Sequence, residues 1–114
     1  MSWQRCSQML GEIGGRWDLA ILAMLAARES RRPSDLREAV NAQAGSARLS
    51  WKVMAERLRH LEDAGYVGRR EISKYPRQTL YWITPWARCL LSRLDALGAW
   101  HAEHAPPGAR RQGY

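Results

Sequence analysis

"LSWKVMAERLRHLEDAGYVGRREISKYPRQTLYWIT", residues 49–84, changes its period halfway along. Met54, Leu58 and Leu61 stand at i, i+4 and i+7, with Val53 and Ala64 beside them, which is one face of a helix. Ser50 has the side chain of an N-cap, and Gly65 sits where a left-handed residue ends a helix. Beyond Gly65 the spacing no longer fits a helix. Tyr66–Ser73 and Thr79–Ile83 are short segments bounded by Gly, Pro and polar residues, and they read as two strands joined by "KYPRQ". A capped basic helix therefore runs straight into an arginine-rich hairpin.

Upstream, Trp3, Cys6, Leu10 and Ile13 fall at helical spacing, and Gly14-Gly15 breaks that helix. Trp17, Ile21, Met24 and Leu25 form the stripe of a second helix, Arg16 to about Arg28. "RESRRPS" reads as a turn, Ser34 as the N-cap of a short third helix carrying Leu36, Ala39 and Val40, and "NAQAGSAR" as a loop. Downstream, Thr84-Pro85 is an N-cap followed by proline at the first helical position, opening a last helix that runs to about His104. The predicted fold is mainly α with a small antiparallel β-hairpin: a winged helix-turn-helix over residues 1–105. Residues 106–114, "PPGARRQGY", read as an unstructured tail.

A chain of 114 residues with 46% hydrophobic content is one domain able to bury a core. No apolar run approaches the roughly 18–20 residues of a membrane span, and the first ten residues lack a signal-peptide pattern. The expectation is a cytoplasmic protein with no membrane partner. Two widely spaced cysteines make neither a disulfide framework nor a metal motif, and no cofactor or metal is expected. The net charge of +7 favours an anionic partner such as nucleic acid. Of 18 basic residues only Lys52 and Lys74 are lysine, and the arginine fork suits phosphate and guanine. Mutational bias toward arginine codons is the competing explanation.

Lys52, Ala55, Glu56, Arg59 and Asp63 project from the helix side opposite Met54 and Leu58. Residues near the start of such a helix meet base edges in a major groove. Lys52 and Arg59 are the leading candidates for base or phosphate contact. Ala55 suits a thymine methyl, Glu56 a cytosine amino group or a neighbouring arginine, and Ser50 combines capping with a phosphate contact. Arg57 lies toward the core edge, where it braces the domain or touches backbone phosphate. A merely solvated helix face would explain the basic helix by itself. Arg69, Arg70, Lys74 and Arg77 place further charge beside it on the hairpin, with Arg77 near the turn where a wing enters a minor groove.

These segments resemble the HxlR family of bacterial winged-helix regulators, relatives of the MarR group. The resemblance is carried by "IGGRWDLAIL", "RPSDLREAV", "LSWKVMAERLRHLEDAGYVGRR", "YPRQTLYWIT" and "LLSRLDALGAW", in that order and spacing. It implies a homodimeric transcription factor joined through its N- and C-terminal helices. It also implies a pseudo-palindromic operator on double-stranded DNA, with recognition helices about 34–36 Å apart. DNA contacts would then fall at Ser50, Lys52, Ala55, Arg59 and Arg77. The sequence departs from the family in four places, one of them Cys6, which lies closer to "GGRW" than the family's usual N-terminal cysteine. "NAQAGSA", residues 41–47, looks inserted before the recognition helix, Pro85-Trp86-Ala87 stands for an acid-Leu-Gly run, and the wing-tip arginine is shifted to Arg77.

The last helix carries two apolar strips. Leu90, Leu94 and Leu97 are expected on the domain. Trp86, Cys89, Ala96 and Trp100 exceed what one small domain covers, and are expected to meet Trp3, Cys6 and Leu10 of a second subunit. Trp82 alternates outward from Tyr81 and Ile83, a further candidate for an interface or ligand. The tryptophans could instead line a pocket for a small aromatic effector. Cys6, beside Arg5, is a candidate redox sensor, as in some proteins of the family, although cysteine on an apolar strip is more often packing.

No nucleophile–base pair, phosphate loop or dinucleotide turn has a credible context, so no enzymatic activity is expected. His101, Glu103 and His104 read as a polar helix end rather than metal ligands. The function expected is sequence-specific DNA binding by a homodimer acting as a repressor, associated with the nucleoid when bound. The alternative is a winged-helix effector-binding or protein-interaction module that has lost operator binding.

Overall fold

The structure, a computed structural model, describes residues 2–110. The elements are α1 (Trp3–Ile13), α2 (Asp18–Ala26), α3 (Pro33–Gln43), α4 (Trp51–Asp63), β1 (Val67–Lys74), β2 (Arg77–Ile83), α5 (Pro85–His104) and a single turn, α6 (Pro107–Arg110). β1 and β2 pair antiparallel, from Val67 opposite Ile83 to Lys74 opposite Arg77, with a register shift around Ile72. The molecule is a winged helix-turn-helix: α3 and α4 are the helix-turn-helix and the hairpin is the wing.

α2 is apolar around its whole circumference, which is why it sits at the centre. Ile21, Leu22 and Leu25 are fully buried against Leu36 and Val40 of α3, the Met54–Leu58–Leu61 face of α4, and Ile83 at the end of the wing. Gly65 takes φ +87°, and the turn around it is a Schellman arrangement. Tyr66 N donates to Leu61 O at 2.9 Å and Gly65 N to Glu62 O at 3.0 Å. Thr84 Oγ1 then donates to Gly65 O at 2.8 Å, so the start of α5 is tied to the end of α4.

Four local expectations are corrected. Ser34 is not the cap of α3: the cap position is Arg32, with Pro33 at the first helical position. Proline has no N–H to satisfy there and its fixed φ favours the helix start, so it outweighs the hydroxyl of the next residue. α3 also runs on to Gln43, because "NAQ" has nothing to break a helix, and only Ala44 to Leu49 remain as a connection. "RESRRPS" is more than a turn. Arg31 and Tyr81 exchange two backbone hydrogen bonds of 2.9 Å, adding a one-residue third strand to the wing. Leu97 is exposed, since α5 outruns the domain and the contact with it ends near Leu94. Pro107–Arg110 form the single turn α6, and residues 111–114 of the tail lie outside the described residues.

Candidate nucleic-acid interface

α4 presents two faces. Met54, Leu58 and Leu61 are buried, whereas Lys52, Ala55, Glu56 and Arg59 are exposed on the side away from them. Ser50 caps the helix, its Oγ accepting from Val53 N at 3.2 Å, and stays exposed. Arg69, Arg70, Lys74 and Arg77 are all exposed on the wing. Arg69 lies 3.4 Å from Glu62 and Arg77 3.9 Å from Glu71. Solvated pairs of this kind hold about 0–1 kcal/mol, so the arginines remain available to a stronger anion.

Two polar locks fix α4 in place, and neither was found by sequence reasoning. The first is a buried ion pair. Asp18, fully enclosed at the start of α2, accepts from Arg57 Nε at 2.7 Å and Nη2 at 2.8 Å, and from Gly15 N at 2.9 Å. The hydrogen bond to Asp18 raises the Arg57 pKa above its ordinary value, outweighing the opposing effect of burial. Of the two roles open to Arg57, bracing the domain is the one its side chain is engaged in. The only sequence signal for Asp18 was a lone carboxylate opening an otherwise apolar helix.

The second lock holds the turn before α4. Leu49 N donates to Asn41 Oδ1 at 2.7 Å, and Arg37 Nε donates to Leu49 O at 2.8 Å. Arg48 donates to Gly45 O at 2.8 Å and also reaches the Ala47 and Asn41 carbonyls. Gly45 turns the chain at φ +66°. The stretch 41–47, which reads as an insertion, is thus the last turn of α3 and a stapled tight turn.

Trp51, the first residue of α4, is half exposed and lies beneath the Arg37 guanidinium, 5.0 Å from ring centroid to Cζ. It separates two shallow clefts. Ser34, Asn41 and Arg48 line one, and Arg32, Arg77 and Thr79 the other. The starts of α3 and α4 and the start of β2, beside the turn of the wing, therefore converge on this tryptophan.

The remaining candidate residues lie elsewhere. Trp3, Cys6 and Leu10 are exposed along α1, and Trp86, Cys89 and Trp100 along α5. Trp86 lies with its ring centroid 4.7 Å from that of Tyr66. Trp82 is half-buried on the outer face of the wing, covering Gly68, where a Cβ would collide with its ring. These tryptophans do not converge on one pocket. A groove of about 640 Å³ runs between α2 and α5 and is lined by Leu19, Ala23, Leu91, Leu94 and Gly98 among others, with no aromatic side chain. Among the described residues no His, Cys, Asp and Glu group has the makings of a metal site. No helix among them is long and apolar enough to cross a membrane.

The fold has counterparts among known proteins. The chain is 30% identical over 92 residues to the HTH-type transcriptional regulator YtcD of Bacillus subtilis, spanning 81% of this chain and 68% of the relative. A transcriptional regulator of the MarR family from Enterococcus faecalis V583 superposes with a TM-score of 0.78 at 26% identity, covering 96% of this chain and 94% of that one. The reduced form of the transcriptional regulator YodB from B. subtilis gives 0.76 at 23% identity, over 94% and 98% of the two chains, a likeness of fold alone. The sequence pattern of the HxlR-like helix-turn-helix family matches residues 12–109. With this match and relatives that are transcriptional regulators, the chain belongs to the HxlR-like helix-turn-helix family.

Proposed function

We propose that this regulator binds a pseudo-palindromic operator as a homodimer and represses the adjacent promoter from the cytoplasm. The observation that carries the reading is the exposed face of α4, with Lys52, Ala55, Glu56 and Arg59 beside a wing bearing Arg69, Lys74 and Arg77. Lys52 and Arg59 read base edges, Ala55 and Glu56 complete the helix contact, Ser50 and the wing hold phosphate, and Arg77 enters the flanking minor groove. The dimer forms through α1 and α5, covering the exposed apolar side chains of Trp3, Leu10, Trp86 and Trp100.

Gel shifts on the protein's own upstream DNA test this. A specific complex should survive moderate salt and contain two chains. Arg59→Ala should weaken operator binding by about 1–3 kcal/mol and relax specificity, while Arg77→Ala should weaken all duplexes alike and lower the salt slope by about 1. A steep salt slope without sequence preference would instead support an interaction module without an operator, the reading that the bulky Trp51 at the start of α4 keeps in play. Cys6 and Cys89 are exposed thiols, and control by oxidants is the second reading. Release from DNA by peroxide that persists in the Cys6→Ser, Cys89→Ser double variant excludes it. For a small aromatic effector, the groove between α2 and α5 is apolar and of adequate size.

A further inference from the structure

We propose that Trp51 reads a thymine, its ring packing on the 5-methyl group while Arg37 anchors the same half-site to phosphate. The inference rests on the DNA-binding reading above and adds a specificity-determining residue to it.

Trp51 opens α4, the position from which a recognition helix first meets base edges. A tryptophan there, half exposed, would be a liability on a surface meant only for water. Here it is held. The Arg37 guanidinium covers one face of the ring, and Arg37 is itself fixed by the 2.8 Å bond from Nε to Leu49 O. That bond uses the inner nitrogen. The two Nη groups have no hydrogen-bond acceptor among the described residues, and they sit in a cleft whose other charged lining groups are Arg48 and Glu38. A second cleft beside the ring is lined by Arg32, and by Arg77, which the reading above commits to the minor groove. The arrangement is an apolar ridge between cationic walls.

A duplex has the complementary relief. Phosphates line the two rims of the major groove, and the apolar group exposed on the base edges within it is the thymine methyl. A ridge of indole flanked by guanidinium groups therefore meets a thymine with its neighbouring phosphates. The cation–π contact keeps the ring in one orientation, so little freedom is lost on binding. It also explains how arginine-rich walls can tolerate the bulk of Trp51: the indole is part of the reading surface and does not block it.

The test uses the full chain and an operator selected from random duplexes. Deoxyuridine replaces each thymidine in turn, removing only the methyl group. For the wild-type protein one position per half-site should cost about four-fold in affinity, the effect of one buried methyl. Trp51→Ala should bind the thymine operator at least that much more weakly and show no further loss at that position. Trp51→Phe, which keeps an apolar ring, should retain the sensitivity. Arg37→Ala should lower the salt slope by about 1. If no thymine position loses its methyl effect in Trp51→Ala, or if Trp51→Ala weakens all duplexes equally, the inference is overturned while operator binding itself stands. If no operator can be selected, the functional reading falls first and this inference with it.

Discussion

The helix-turn-helix core and the two outer helices are stabilised in opposite ways. In the core, between Gly15 and Thr84, each awkward group has a partner: the Asp18 carboxylate has Arg57 and Gly15 N, the turn at Gly45 has Arg48, and the Leu49 peptide has Asn41 and Arg37. In α1 and the second half of α5, large apolar side chains face solvent. Trp3 is 66% exposed, and Leu97 and Trp100 are close to 60%. The helix-turn-helix core is satisfied within one chain, whereas the outer helices leave large apolar side chains uncovered in it.

Breaking the core should have the largest effect. Arg57→Met strands the enclosed Asp18 charge and should cost about 3–5 kcal/mol in urea unfolding, because a buried carboxylate without its partner is strongly destabilising. A loss under 1 kcal/mol would mean that the pair contributes nothing to holding α4. Gly68→Ala forces a methyl group into the Trp82 ring and should cost about 1–3 kcal/mol, with Trp82 fluorescence moving as the ring is displaced. Ser50→Ala removes the Val53 cap bond and should cost about 1 kcal/mol, read by the same titration.

The outer helices should answer differently. Trp100→Ser should change the stability of the dilute chain by no more than about 0.5 kcal/mol. It should, however, abolish the rise in melting temperature with protein concentration that a dimer requires. Sedimentation at increasing concentration checks this directly. A wild-type melting temperature that does not depend on concentration would contradict the contrast between the two regions.

Legibility in the sequence follows the range of the forces involved. The element order was readable because periodicity, Ser50, Gly65 and Thr84-Pro85 act within a few residues. The exposed face of α4 followed from the same wheel. The start of α3 was misread because an N1 proline and a hydroxyl cap on adjacent residues give competing signals, and the proline prevails. Asp18–Arg57 was invisible because its partners are 39 residues apart and neither residue type names the other. Leu97 was assigned to the domain by spacing alone, and spacing carries no information on where the underlying core ends. The Trp51–Arg37 contact was likewise out of reach, because its two partners come from different helices.

The Asp18–Arg57 bolt has a further consequence. It clamps the middle of α4 to α2, and α2 in turn packs along α5, so the recognition helix cannot swivel by itself. In a two-chain assembly the gap between the half-sites would then be set by how the outer helices cross, much as the hinge of a pair of calipers sets the spread of rigid jaws. Grafting α1 and the end of α5 from a relative onto this core should change the spacer length of the preferred operator while leaving the half-site letters as they were.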